Sequence, residues 1–174
     1  MKNSIPKILF VAEKLTKGYL VDEILNHLDK MLTGEINLTV VGTGEIKDGY
    51  NNININYAGY LAEDELVKEY QSTDIFIYPS AADVFGLVLI EAMACGLPIV
   101  TFGVDAIPEV VRDSAFLIPP FNTYSFALNV KYLIQCEALR VALGQRGRMI
   151  TCKLYNIKNV AEVYHSLFEG SIKC

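Results

Sequence analysis

Short apolar runs, each closed by turn residues, alternate along this chain with longer stretches of helical periodicity, and that alternation restricts the fold more than any other feature. The runs are Ile8-Leu9-Phe10-Val11, Leu38-Thr39-Val40-Val41, Ile53-Asn54-Ile55-Asn56-Tyr57, Ile75-Phe76-Ile77-Tyr78, Ile99-Val100-Thr101 and Ala115-Phe116-Leu117-Ile118. Helical patterns occupy 19–32, 62–71, 85–94 and 107–111, and three more follow the last run, at 124–135, 137–149 and 157–169. Asn156 stands as an N-cap before the last of these, whose apolar face is Val160, Val163, Tyr164 and Leu167. Alternation of this kind marks a parallel sheet with helices on its faces. The expected fold is α/β: a doubly wound, Rossmann-like parallel sheet of about six strands, in one domain spanning 1–174.

In such sheets ligands bind beyond the carboxyl ends of the strands, so the loops after Val11, Val41, Tyr78 and Thr101 are the places to look for chemistry. The loop after Val11 reads Ala12-Glu13-Lys14-Leu15-Thr16-Lys17-Gly18 and lacks the Gly-x-Gly-x-x-Gly of a dinucleotide site. Gly42-Thr43-Gly44 follows the second run, but Lys47 stands at the third glycine position, and the motif reads as a plain turn. A net charge of −5 with no Lys/Arg cluster excludes a nucleic-acid partner, which is held mainly by clustered cations. The four cysteines, Cys95, Cys136, Cys152 and Cys174, have neither metal-ligand nor disulfide-scaffold spacing and are expected to be free cytosolic thiols. Residues 84–100 form the most apolar stretch. Interrupted by Glu91, Gly96 and Pro98, they are too short for a membrane span. Met1-Lys2-Asn3-Ser4-Ile5-Pro6 has no apolar core of signal-peptide length, so export is not expected.

The loop after Tyr78 carries the strongest functional pattern. Pro79-Ser80-Ala81-Ala82-Asp83-Val84-Phe85-Gly86 leaves the strand and a helix begins at once. A helix N-terminus at the end of a parallel strand offers unpaired N–H groups suited to a diphosphate, and Gly86 lets the backbone approach closely. Asp83 falls in the loop and Glu91 within the helix, so both can face the crevice. A carboxylate on so apolar a helix must reach water or find donors. Ribose hydroxyls or the backbone amides of a neighbouring loop would both serve Glu91, and its spacing does not choose between them. Tyr57, Tyr60 and Tyr78 near strand ends can stack on a base or pack within the sheet. His27 and His165 lack an acid or nucleophile partner in the sequence pattern and are not read as catalytic.

The segment Asp83-Val84-Phe85-Gly86-Leu87-Val88-Leu89-Ile90-Glu91-Ala92-Met93-Ala94-Cys95-Gly96-Leu97-Pro98-Ile99-Val100 resembles the signature of the family 4 retaining glycosyltransferases, and flanking motifs extend the likeness. Gly59-Tyr60-Leu61, Ser72-Thr73-Asp74 and Ile107-Pro108-Glu109-Val110-Val111 occur in the family in this order, which is that of the C-terminal, donor-binding half of a GT-B fold. The resemblance implies that Glu91 bonds the donor's ribose and that Asp83 contacts the transferred sugar. It also implies that the amides of Phe85, Gly86 and Leu87 meet the sugar and diphosphate, with Tyr60 and Leu61 near the base. Lys17-Gly18 matches the family's diphosphate-neutralising pair, with Lys14 as a further point charge.

Three positions depart from the family. Asp83 stands for Glu, Glu13 for the first-strand Arg, and Asp105-Ala106 for Gly-Gly. The implied activity is retaining transfer of a hexose from a nucleoside diphosphate sugar to a glycan or lipid-linked acceptor. The alternative is a nucleotide-sugar-binding or regulatory module of the same fold without transfer. No cofactor is implied, and no metal either, since the chain has no Asp-x-Asp pair. The implied partners are the nucleotide-sugar, the acceptor, and an N-terminal GT-B domain in cis or on another chain. That domain is expected to close over residues 14–19, 81–85 and 102–107. A cytoplasmic location follows from these readings, with attachment to the inner face of a membrane left to the missing half.

Overall fold

The computed structural model describes residues 5–15 and 19–171. Its elements in chain order are β1 (Lys7–Lys14), α1 (Val21–Met31), β2 (Ile36–Thr43), β3 (Ile53–Gly59), α2 (Glu63–Ser72), β4 (Ile75–Tyr78), α3 (Leu87–Ala94), β5 (Ile99–Phe102), α4 (Ile107–Val111), β6 (Ala115–Ile118), α5 (Thr123–Gln135), α6 (Glu137–Leu154) and α7 (Ile157–Ser171). The six strands form one sheet in the order β3-β2-β1-β4-β5-β6, and every pairing is parallel. The doubly wound expectation therefore holds.

The winding follows from burial. β4 and β5 are buried at every position, which only a sheet covered on both faces allows. On one side α1 and α5 pack together over the sheet. On the other lie α2, α3 and α4, with α6 behind α3. The order of strand addition reverses at β1, which pairs with β2 through Ile8↔Leu38 and with β4 through Ile8↔Ile75. The carboxyl ends of β1 and β4 diverge there, and a crevice opens between the connections that follow them. The β2–β3 connection carries no helix. It is tied down instead by α1 carboxylates, Asp22 accepting from the Lys47 N–H at 2.8 Å and Asp29 from the Asn52 N–H at 2.7 Å.

Several elements outrun their sequence patterns, β1, β2 and α6 by the most. β1 continues past Val11 through a bulge to Lys14, which pairs with Thr43, so Glu13 and Lys14 sit on the strand and not in a loop. The bulge explains the Gly42-Thr43-Gly44 motif: a Cβ at Gly42, whose φ is +120°, would lie 1.6 Å from the Ala12 carbonyl oxygen. The motif is a close approach of two strands. α6 also runs beyond residue 149 to Leu154. The capping role expected of Asn156 is seen, its Oδ1 accepting from the Lys158 N–H at 3.0 Å. Among the described residues no helix is long and apolar enough to cross a membrane, and no group of His, Cys, Asp or Glu is placed to hold a metal ion.

α6 reaches α3 through glycines. A Cβ on Gly144 would stand 1.9 Å from the Gly96 carbonyl oxygen, whereas one on Gly34 would meet nothing within 4 Å. Gly144→Ala gains about 1 kcal/mol of helix propensity, but the overlap forces the backbones apart, at a cost of roughly 1–3 kcal/mol. Urea titration is expected to show net destabilisation for Gly144→Ala and a gain of about 0.4–1 kcal/mol for Gly34→Ala. Equal effects at the two positions would rule out the tight α3–α6 contact.

Candidate functional site

β4 ends at Tyr78, and the connection to α3 crosses the mouth of the crevice carrying Asp83, Val84 and Phe85 on its surface. Its shape is set by the carboxylate of Asp83. One oxygen accepts from the N–H groups of Phe85 and Gly86, both at 2.9 Å, and the other from the Tyr78 hydroxyl at 2.5 Å. A carboxylate that accepts from amides two and three residues ahead makes a local Asx-type turn, which Asp forms readily because its side chain is short. Gly86, with φ of +71°, supplies the left-handed residue that turns the chain into α3. Asp83 thus lies at the expected place, and its carboxylate already occupies two of the three amides that the resemblance assigns to sugar and diphosphate.

Asp105 belongs to the same cluster. Its Oδ2 accepts from the Asp83 N–H at 3.1 Å, across the gap between the β4 and β5 connections, and its own φ is +45°. The Asp-Ala departure therefore ties two crevice loops together. Behind them Tyr78 stacks on Phe76 and meets Tyr19 edge-on. Burial, together with the Asp83 hydrogen bond, raises the Tyr78 hydroxyl above its ordinary pKa, so it remains a donor at neutral pH.

Glu91 lies on α3 with its residue exposed, and its Oε2 accepts from the Tyr70 hydroxyl at 3.0 Å. The donor is neither a ribose nor a backbone amide but a phenol from α2. Tyr70 is only 1% exposed and packs on Phe76, so it is a fixed post that aims the carboxylate. Sequence reasoning missed this residue, whose signal is a lone tyrosine on a charged helix. Burial first, and then the Glu91 charge, raises the Tyr70 pKa.

The remaining expected residues spread around the strand ends. Lys14 is exposed on β1 and forms no ion pair among the described residues, with Glu13 beside it. Lys17 and Gly18 lie outside the described residues. Tyr60 is 84% exposed after β3 and Leu61 is half-buried, whereas Tyr57 bonds Ile46 through its hydroxyl. Val84 (90% exposed) and Leu87 (66%) form an apolar rim beside Phe85. Phe102 and Ile107, expected on the closing surface, are core residues at 0%: both belong to the hydrophobic core, Phe102 with its ring edge-on to Phe126 of α5. His27 meets Tyr124 edge-on, and His165, read as lacking an acid, stands 3.5 Å from Glu169 on exposed α7. An open cavity of 630 Å³ adjoins the crevice on the β1–β2 side, between Leu15, Leu20 and Ile46. Neither Asp83 nor Glu91 lines it.

Comparison with known proteins places this arrangement. Residues 2–149 match the family described as glycosyl transferases group 1. The O-antigen chain mannosyltransferase B of Escherichia coli is 33% identical over 93 residues, which are 53% of this chain and 24% of that protein. Sucrose-phosphate synthase from Thermosynechococcus elongatus superposes with a TM-score of 0.78 at 22% identity, over 98% of this chain and 47% of that one. The C-terminal domain of a glycosyl transferase group 1 family protein from Francisella tularensis superposes with a TM-score of 0.69 at 22% identity, over 88% of this chain and 89% of that one. These superpositions establish a GT-B-type Rossmann-like fold. The chain spans less than half the length of the curated relatives it matches.

Buried phenols with raised pKa values have a measurable consequence. Above the ordinary value of 10.0, Tyr70 and Tyr78 keep their protons in the folded chain and lose them on unfolding. The folded state then binds more protons, so this contribution is complete below about pH 10 and declines as pH rises past it. Urea midpoints measured from about pH 8 to about pH 11 should be flat and then fall, and Tyr70→Phe should make the fall shallower. A slope unchanged by Tyr70→Phe would show that Tyr70 is not buried as described.

Proposed function

The chain belongs to the glycosyl transferases group 1 family, and on that premise we propose that it is the donor-binding half of a retaining transferase that takes a hexose from a nucleoside diphosphate sugar. The observation that carries the reading is the head of α3. It stands at the end of β4 beside the point where the sheet reverses, with Glu91 aimed from the same helix by Tyr70. A diphosphate approaching the first turn of α3 meets the Leu87 amide and the positive end of the helix dipole. Its oxygens then compete with the Asp83 carboxylate for the Phe85 and Gly86 amides, and the displaced carboxylate becomes an acceptor for a sugar hydroxyl. Glu91 has one oxygen satisfied by Tyr70 and the other open to a ribose hydroxyl. Lys14 at the end of β1 is a charge available to neutralise the leaving diphosphate, a role that the family resemblance also gives to the Lys17-Gly18 pair, while Tyr60 and Leu61 border the base. Electrostatic stabilisation of the leaving group is the main catalytic contribution such a site offers.

That the Escherichia coli relative is an O-antigen chain mannosyltransferase supports a hexose as the transferred group and a glycan or lipid-linked acceptor. The shortness of the chain against its relatives supports an acceptor-binding half elsewhere, in cis or on another polypeptide. The exposed rim of Val84, Phe85 and Leu87 suits the facing wall of such a cleft. The second reading, binding without transfer, draws on the Asp83 and Asp105 carboxylates, which hold the loop closed on itself and add negative charge where a diphosphate would sit.

Calorimetric titration with UDP, GDP and ADP separately is expected to show selective binding of one. Glu91→Ala removes charge-assisted hydrogen bonds worth about 1.5–3 kcal/mol, a loss of roughly ten-fold or more in affinity. Silence toward all three nucleotides, or undiminished affinity in a folded Glu91→Ala variant, would sink the assignment.

The chain alone is expected to transfer no sugar, because holding the acceptor hydroxyl against the anomeric carbon is worth about 7–11 kcal/mol of barrier and one wall of a cleft cannot supply it. Transfer assays with and without the complementary half test this. Turnover by the isolated chain contradicts it, and continued inactivity with the half supplied favours binding without transfer.

A further inference from the structure

We infer that Tyr155 is a positioning residue for the loop at the head of α3: the corner between α6 and α7 holds Phe85 in place through this one side chain. Its ring meets Phe85 edge-on, with centroids 6.2 Å apart and planes at 88°. That is the orientation the aromatic quadrupoles favour. Its hydroxyl donates to the Val110 carbonyl in the last turn of α4 at 3.2 Å, and its N–H donates to the Thr151 carbonyl at 2.9 Å, closing α6. One residue therefore joins the β4–α3 connection, α4 and the end of α6.

The support behind Tyr155 is closely packed, and the residue it supports is half-exposed. α6 lies directly on α3 and its flanking turn, since a Cβ on Gly144 would strike Gly96 and one on Gly147 would stand 3.3 Å from Met93. Phe85 by contrast is 45% exposed near the more exposed Val84 and Leu87, and Tyr155 is its one ring partner among the described residues. Without that ring, residues 83–86 keep the Asp105 bond to the Asp83 N–H and the bonds of the Asp83 carboxylate to the Phe85 and Gly86 amides, and the latter are the bonds that a diphosphate is proposed to displace. Tyr155 thus keeps Phe85 placed while those bonds exchange. The next residue, Asn156, starts α7 by accepting from the Lys158 N–H, and Asn159 ties the same turn back to the Lys153 carbonyl at 3.0 Å. The root of α7 and the prop under Phe85 are consecutive residues, so a displacement of α7 is felt at the loop. The relevance to a sugar donor rests on the function proposed above, but the placement of Phe85 does not.

The chain has no tryptophan, so Phe85→Trp puts a sole indole on the loop. In that background Tyr155→Leu is expected to raise the acrylamide quenching constant at least about two-fold and to red-shift the emission, because the loop opens locally while the core stays intact. Tyr155→Phe keeps the ring and is expected to track the parent. Amide exchange in the chain with native Phe85 gives a second readout, with residues 83–87 exchanging about ten-fold faster in Tyr155→Leu and at the parental rate in Tyr155→Phe. Far-UV dichroism and urea midpoints check folding, and Tyr155→Met replaces Tyr155→Leu should the latter not fold. Quenching and exchange unchanged in a folded ring-less variant would overturn the inference, as would a Tyr155→Phe effect as large as that of Tyr155→Leu. UDP, GDP and ADP titrations of Tyr155→Leu separate the two proposals: affinity lower by about three- to ten-fold supports both. A parent that binds no nucleotide removes the donor reading, with the loop measurements still deciding the role of Tyr155.

Discussion

A parallel sheet whose strands β4 and β5 are buried at every position must be covered on both faces, and the remaining features of this chain follow from how it meets that demand. Covering the second face requires the chain to return past β1 and continue in the opposite direction, with β4 beside it. The return leaves two adjacent strand ends whose connections leave toward opposite faces. The gap between them is therefore a by-product of covering the core, and the loop after Tyr78 is the segment placed across it. Chemistry at that position costs little extra stability, since the frame that holds it is the core itself.

Within this frame one acidic side chain carries several constraints. Asp83 satisfies two amides and a phenol, and its backbone is held by Asp105. A glutamate, one methylene longer, is less suited to a turn that closes on amides two and three residues ahead. The departures at positions 83 and 105 that stand out against the family pattern are thus linked in space, forming one self-satisfied loop. Glu91 follows another principle: its carboxylate remains at the surface and is aimed from behind by a buried phenol.

Much of this was legible in the sequence, for reasons that also explain what was not. The six strands and seven helices of the described residues follow from local patterns, since apolar runs and helical periodicity reflect burial directly. The signature loop was legible because its residues are contiguous. Features depending on residues distant in sequence were not. The extension of β1 is set by Gly42 packing on Ala12, the aim of Glu91 by Tyr70, and the prop under Phe85 by Tyr155, and none of these pairs has a local mark. The glycines at 144 and 147 stand in a helical pattern, where propensity alone treats them as weakening. Their reason is the backbone of α3. The burial of Phe102 and Ile107 was misjudged because proximity to a strand end was taken for exposure, whereas both point inward from it.

The strand order also bears on how the molecule comes together. β1 meets β2 after a single connection, and β4 meets β5 in the same way, but the central pairing joins Ile8 to Ile75 and is reinforced by the Lys7 N–H bonding Asp74 across 67 positions of sequence. Contacts that distant close the largest loops and are entropically the slowest to form. The two flanks, β3-β2-β1 and β4-β5-β6, are each built from nearer pairings, so the seam between them is the last part of the sheet favoured to close. That seam is where the crevice lies. A folding intermediate with both flanks formed and the seam open would carry nearly all the secondary structure and have no crevice, so ligand-binding competence should lag behind helix formation during refolding.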